Sequence, residues 1–231
     1  MSLVCPKLMP LVVNYMALKP LLDKIQDELR KREEIREAVN NDMRKATRLS
    51  KQSILLTHQK KFDGARRLLK EAEKLFAKLR KVSKSHPDLV YSGIVNAAFE
   101  EYTEGHTLLG LVEKNQFVSP EELGVPSISY VLGLVDVIGE LRRDALDSLR
   151  KGDLKTAENY LQMMEHIFVE LTAMDDTYFL VPGLRRKCDI VRRVIEATRG
   201  DVTIDGRRSS LESAIKRLTK VVERKRKSER S

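Results

Sequence analysis

The 231-residue chain is long enough for one large domain or two small ones, and its 42% hydrophobic residues can supply a core. With no Trp, 11 Gly, 7 Pro and 33% charged residues, the composition is that of a helical protein and excludes both a strand-rich sandwich and a disordered chain. A formal charge of +9 and a pI near 9.5 favour a polyanionic partner, nucleic acid or an acidic membrane surface.

The first 16 residues are apolar but broken by Pro6 and Pro10. They lack the uninterrupted apolar stretch and small-residue cleavage site of a signal peptide. Residues 1–16 are therefore read as a non-core extension, with Met16 as an alternative start. From Leu22 the apolar positions step by three and four through Ile25, Leu29, Val39, Met43, Ala46 and Leu49, which predicts a long helix over about 18–60. "KKFDGARR" is expected to break it at Asp63-Gly64. A second helix carries Leu68, Leu69, Ala72, Leu75, Phe76 and Leu79, and Pro87 ends it.

A third helix is predicted over about Asp88–Glu113, then a proline-bounded loop, "NQFVSPEELGVPS". A fourth runs from Ser127 to Lys151 and stops at Gly152. A fifth follows, with Asp153 as its N-cap. "DDTYFLVPG" interrupts. A sixth covers 183–199, "DVTIDGRR" is a linker, and a last helix trails into a basic tail. No segment shows strand alternation. The expected fold is all-α, a single antiparallel bundle of about seven helices over residues 17–205, with a basic helix and tail over 206–231.

No apolar run reaches about 18 residues, so no membrane span is expected. Cys5 and Cys188 show no CxxC spacing, which argues against a zinc site and a disulfide scaffold and suits a reducing, cytoplasmic compartment. Cys188 reads as a small core residue.

Two helices carry acids where apolar residues belong. In "AAFEEYTEGHTLL", Glu101 stacks with Ala97, Ala98, Gly105 and Leu108, and Glu104 is its i+3 neighbour; Glu100 points elsewhere, with Asn96 and Thr103. In "SYVLGLVDVIGELRR", Asp136 is the one ionisable side chain in an all-round apolar span from Tyr130 to Ile138, and Glu140 follows at i+4. A buried carboxylate must be paired, protonated or bound to metal. A solvated helix face for Glu101 and Glu104, and an arginine-paired acid for Asp136, are the structural alternatives. The two helices, joined by a moderate loop, are expected to run antiparallel, which lets the four acids converge. With no His or Cys nearby, such a cluster suits Mg²⁺, with Mn²⁺ as the other candidate. His106 faces away and reads as a surface or interface histidine. Arg143 shares the face of Asp136 and Glu140, where it can hold a phosphate or neutralise Glu140.

These segments resemble the translin superfamily, and within it translin-associated factor X (Trax) more than translin. "FEEYTEG", "YVLGLVDVIGELRRDALDSLRKGD" and "YFLVPGLRRKCDIVRRVIEATRGD" carry the resemblance over about residues 30–200. Trax proteins show EYxEA, here Glu101-Tyr102-Thr103-Glu104-Gly105, followed by GVxDxxGELxR, here Gly133 to Arg143. The resemblance implies that Glu101, Glu104, Asp136 and Glu140 form the acidic site of a Mg²⁺-dependent endoribonuclease. It also implies a closed, hollow octamer, for this compact chain a homo-oligomer. Gly105 departs from the final Ala of the first motif, and the loop between the two helices is short; neither change removes an acid. Translin lacks most of the acidic set and acts mainly as an RNA-binding scaffold.

The expected chemistry is phosphodiester hydrolysis by metal-activated water on single-stranded or short RNA, with no membrane involved. Any of the four acids can be the general base. Arg44, Arg48 and Lys51 form an i, i+4, i+7 stripe, with Lys45 beside it, which would hold phosphates; pairing with Glu33, Glu34 and Glu37 is the alternative. The tail Lys220–Arg230 is a weaker candidate. Aromatics are only 5% of the chain, so base stacking of the kind used by sheet-based modules is not expected. A translin-like scaffold that binds RNA or single-stranded DNA without cleaving is the competing reading, and a structural adaptor the third.

Overall fold

The computed structural model describes residues 18–90 and 92–228. The predictions for residues 1–16, including Cys5, and for the end of the basic tail lie outside them. The described chain is all α-helical: α1 (Leu18–His58), α2 (Phe62–Ser85), α3 (Gly93–Lys114), the single-turn α4 (Pro120–Leu123), α5 (Ser127–Arg150), α6 (Leu154–Thr172) and α7 (Leu184–Ser228), with 3₁₀ turns at Pro87–Val90 and Asp175–Leu180.

Two halves share α3. Met43, Ala46, Leu69, Phe76, Val95 and Phe99 build a core between α1, α2 and α3. Val135, Ile138, Leu141, Met164, Leu184 and Cys188 build another between α5, α6 and α7, closed by Leu108 and Leu111 of α3. Cys188 is thus the core residue the sequence suggests, with its Sγ 3.4 Å from the Tyr178 hydroxyl.

Several predicted boundaries hold for the predicted reasons. Asp153 caps α6 by accepting from the Thr156 amide, and Gly152 takes a left-handed φ of 76° to turn the chain. Three readings change. The α1–α2 turn falls at Gln59–Lys61, where Lys60 adopts φ 57°, not at Asp63-Gly64. Gly64 lies inside α2 because a Cβ there would sit 2.9 Å from Leu56 Cδ1, so it serves close packing of the hairpin. The linker "DVTIDGRR" is helix: Arg199–Glu165, Arg142–Asp201 and buried Val202 hold the chain on both sides of Gly200, outweighing roughly 1 kcal/mol of glycine cost. The predicted loop 115–126 contains α4, with a Ser119/Glu122 capping box.

The most consequential difference is orientation. Helices α3 and α5 run parallel, not antiparallel. Ser129 and Leu132 near the start of α5 share a cavity with Gly93, Asn96 and Ala97 at the start of α3. At the other end, Leu111 and Val112 lie beside Thr156 and Tyr160 of early α6. Residues 115–126 return the chain, where a full helix does so elsewhere. Cross-contacts extend the pattern. Lys51 meets Glu101, and Lys187 and Arg142 place α7 alongside α5 in the same sense. Thus α1, α3, α5 and α7 point one way, and α2 and α6 point back.

Helices α3 and α5 meet at Gly133. A Cβ there would lie 2.7 Å from the Glu100 carbonyl oxygen and 2.8 Å from Thr103 Cβ, whereas one at Gly139 would meet nothing within 4 Å. Gly133→Ala should destabilise the protein by about 1–3 kcal/mol through overpacking. Gly139→Ala should be neutral or stabilise it by up to about 1 kcal/mol through helix propensity. Denaturant midpoints of the two variants test this; equal midpoints would refute the close approach.

Candidate acidic site

The seam between α3 and α5 gathers the four predicted acids. Glu104 is 8% exposed and forms no hydrogen bond or ion pair among the described residues. Burial raises its pKa, and the charges of Glu101, Asp136 and Glu140 add to the effect, to about 8. Glu101 is also pushed up by burial, opposed by Lys51 and reinforced by Asp136 and Glu140. Each of these acids therefore feels its counterparts on the other helix.

Three basic groups answer the repulsion, and two of them are absent from the sequence-based site. Lys51, the end of the α1 stripe, stands 3.6 Å from Glu101. Lys187, in the first turn of α7, donates to Asp136 Oδ2 at 2.6 Å and Glu100 Oε2 at 3.1 Å. Burial opposes its charge, but hydrogen bonding and attraction from Asp136, with Glu100, raise its pKa. His58, the last residue of α1, lies 2.6 Å from Glu140 Oε2 through Nε2 and 2.8 Å from Asp144 Oδ1 through Nδ1. Burial lowers its pKa, yet the hydrogen bonds accepted by Asp144 and Glu140 together outweigh it and lift it to about 9.

Four expectations change here. A histidine does adjoin the acids. Glu100 does not point away, since Lys187 draws it to the edge of the cluster. Asp136 is not sealed in an apolar helix: its side chain is 37% exposed and paired, with a lysine instead of an arginine. His106 does face away from the acids, and it is half-buried at a groove instead of open to solvent. Its ring packs edge-on against Tyr102 at 4.5 Å, its Nε2 is buried without a partner, and burial lowers its pKa to about 4. Nothing in the local sequence marks His58, whose partners are more than eighty residues away. Lys187 lies within "YFLVPGLRRKCDIVRRVIEATRGD" but carries no periodic signal.

Arg143 is half-exposed, 4.0 Å from Glu140. Arg44, Lys45 and Arg48 are exposed and form no ion pair among the described residues, so the stripe is not neutralised by its own helix. Of the three glutamates offered as intrahelical partners, Glu33 pairs instead with Arg36, at 2.7 Å.

The model of the Translin family matches residues 30–197. The chain belongs to the translin family. The matched span contains every residue of the acidic site and the α1 stripe. An uncharacterized protein of Methanocaldococcus jannaschii, MJ0175, is 29% identical over 198 residues, covering 85% of this chain and 88% of that one. Among solved structures, AfC3PO in complex with duplex RNA superposes with a TM-score of 0.72 at 32% identity, covering 80% of this chain and 96% of that one. Apo-NeC3PO gives 0.71 at 26% identity, covering 80% and 97%. No described helix of this translin-family chain is long and apolar enough to cross a membrane.

Glu104 supplies a test of the site's electrostatics. Its folded pKa of about 8 lies above the ordinary glutamate value of 4.5, so between these the folded state holds more proton than the unfolded one. Its stability contribution is highest at low pH and falls as pH rises through that window. In EDTA, Glu104→Gln should therefore stabilise the protein at pH 8, by on the order of 2 kcal/mol. The gain should vanish near pH 4. A pH-independent difference in unfolding free energy would show that Glu104 is ionised normally.

Proposed function

We propose that this translin-family chain is a Trax-type, divalent-metal-dependent endoribonuclease acting on single-stranded or short RNA. The observation that carries the reading is the convergence of Glu101, Glu104, Asp136 and Glu140 beside an unneutralised basic stripe. The RNA bound to AfC3PO supports RNA as the polymer.

The donor chemistry fits a hard dication. All four acids offer oxygen, and Glu104 is a buried carboxylate without a partner, whose like-charged neighbours a cation would offset. Asp136 and Glu140 are engaged by Lys187 and His58, and among the described residues no three His, Cys, Asp or Glu side chains are grouped so that they could hold a metal ion as they stand. Ligation by all four therefore needs carboxylate rotation. Bound Mg²⁺ or Mn²⁺ would supply Lewis-acid polarisation of the phosphate and a water of lowered pKa.

The chain's own side chains do the rest. Arg44, Lys45 and Arg48 attract the backbone phosphates and lead them toward Lys51 at the edge of the acids. Arg143, half-exposed beside Glu140, is placed to hold a phosphate next to the carboxylates. Lys187 holds the Asp136 carboxylate in place by donating to its Oδ2 at 2.6 Å. A carboxylate of the cluster accepts the proton of the attacking water, and in-line displacement leaves 5′-phosphate and 3′-hydroxyl ends. We place the reaction inside a closed homo-oligomer, an octamer as in the family, in the cytoplasm.

A second reading has its own support. Asp136 and Glu140 are already paired, which suits a translin-like scaffold that binds RNA or single-stranded DNA without cleaving. Incubation of labelled single-stranded RNA with Mg²⁺ or EDTA separates the two. The nuclease reading expects cleavage only with Mg²⁺, reduced at least about 100-fold in Asp136→Asn. Equal binding and no cleavage in either protein would establish the scaffold, and 2′,3′-cyclic phosphate ends would refute hydrolysis by water. Arg44→Ala combined with Arg48→Ala should weaken RNA binding evenly across sequences and lower the log–log salt slope by about 2. An unchanged slope would remove the stripe from the interface.

A further inference from the structure

Asp144, His58 and Glu140 form a chain of hydrogen bonds that the reaction above does not use. His58 sits at the C-terminus of α1 and bridges to α5, where Glu140 and Asp144 are one turn apart. Its Nε2 is 2.6 Å from Glu140 Oε2, and its Nδ1 is 2.8 Å from Asp144 Oδ1. The His58 and Asp144 side chains are only 4% and 6% exposed, so neither reaches a substrate in the open site. We propose that His58, held by Asp144, is a positioning residue that fixes the Glu140 carboxylate for a divalent cation.

The geometry argues for this in two ways. Both ring nitrogens lie within hydrogen-bond distance of a carboxylate oxygen, so the ring cannot rotate without losing a contact. And Asp144 remains buried although its Oδ2 has no partner. An unpaired buried carboxylate oxygen is costly. Its retention is explained if Asp144 serves to hold the histidine. Glu140 has three flexible torsions. A hydrogen bond at Oε2 leaves Oε1 without a protein partner among the described residues and removes freedom that would otherwise oppose ligation.

The inference rests on the reading of Glu140 as a cation ligand, and Mn²⁺ binding to the full chain, followed by electron paramagnetic resonance at low temperature, tests the two separately. Wild type should bind Mn²⁺, and Glu140→Ala should weaken it. His58→Ala should lower the affinity about 10–100-fold, the usual effect of losing a group that orients a metal ligand. His58→Gln, which keeps an N–H donor of similar reach, should recover part of the loss. His58→Asn, polar but too short to reach Glu140, should not, and it serves if the Ala variant fails to fold. RNA binding in EDTA should be unchanged in the three His58 variants. If Glu140→Ala weakens Mn²⁺ binding but folded His58→Ala or His58→Asn binds within about twofold of wild type, His58 is only structural. If wild type binds no Mn²⁺, or Glu140→Ala binds as well as wild type, the cation reading of Glu140 fails and this inference with it.

Discussion

The close approach of α3 and α5 at Gly133 is the constraint on which the rest of the structure depends. Where a side chain would normally stand, the backbone of α5 lies directly on the Glu100 carbonyl and Thr103. Two parallel helices pressed together in this way bring their acidic residues to matching heights, so Glu101 and Glu104 face Asp136 and Glu140. Burial and like charge then act together, as the raised pKa of Glu104 shows. The surrounding helices respond with cations: Lys51 and His58 from α1, and Lys187 from α7. Each comes from a helix that contributes none of the four acids. The acidic cluster is therefore a product of four helices, although its carboxylates come from two.

Much of this was legible in the sequence because it depends on local rules. Apolar periodicity located the long helices, and Asp153 after Gly152 marked a start because the capping oxygen and the left-handed glycine act within one turn. The four acids stood out because charged side chains are rare on an apolar face. What was hidden depends on distance. Segment 115–126 has a length but no readable path, so the parallel course of α3 and α5 could not be seen. Gly64, Gly200 and Gly206 look like breakers in sequence. Their surroundings decide otherwise: Gly64 sits tight against Leu56, Gly206 packs near Leu154, and Gly200, itself open, lies between residues held by the Arg199–Glu165 and Arg142–Asp201 pairs. His58 and Lys187 are ordinary residues on ordinary helices until the fold brings their partners to them.

The charge distribution has a direction. A row of exposed, unpaired arginines and lysines on α1 ends at Lys51, which touches the edge of a negative cluster. A polyanion is drawn to the row and repelled by the cluster. Strands can lie along such a surface without a base being read, consistent with the low aromatic content and with a matched relative captured on duplex RNA.

The buried Glu104 carries one more consequence. Burial and the neighbouring acids push its pKa up to about 8, which favours the protonated form and lowers the charge of the resting cluster. Any cation that draws Glu104 into its coordination must expel that proton into solution. Occupancy would then be an exchange of one positive species for another, with affinity that strengthens as the medium becomes more alkaline and a heat of binding that varies with the buffer that takes up the proton. The same residue that looks like a packing fault in the free protein would make the site a coupled acceptor of metal and donor of acid.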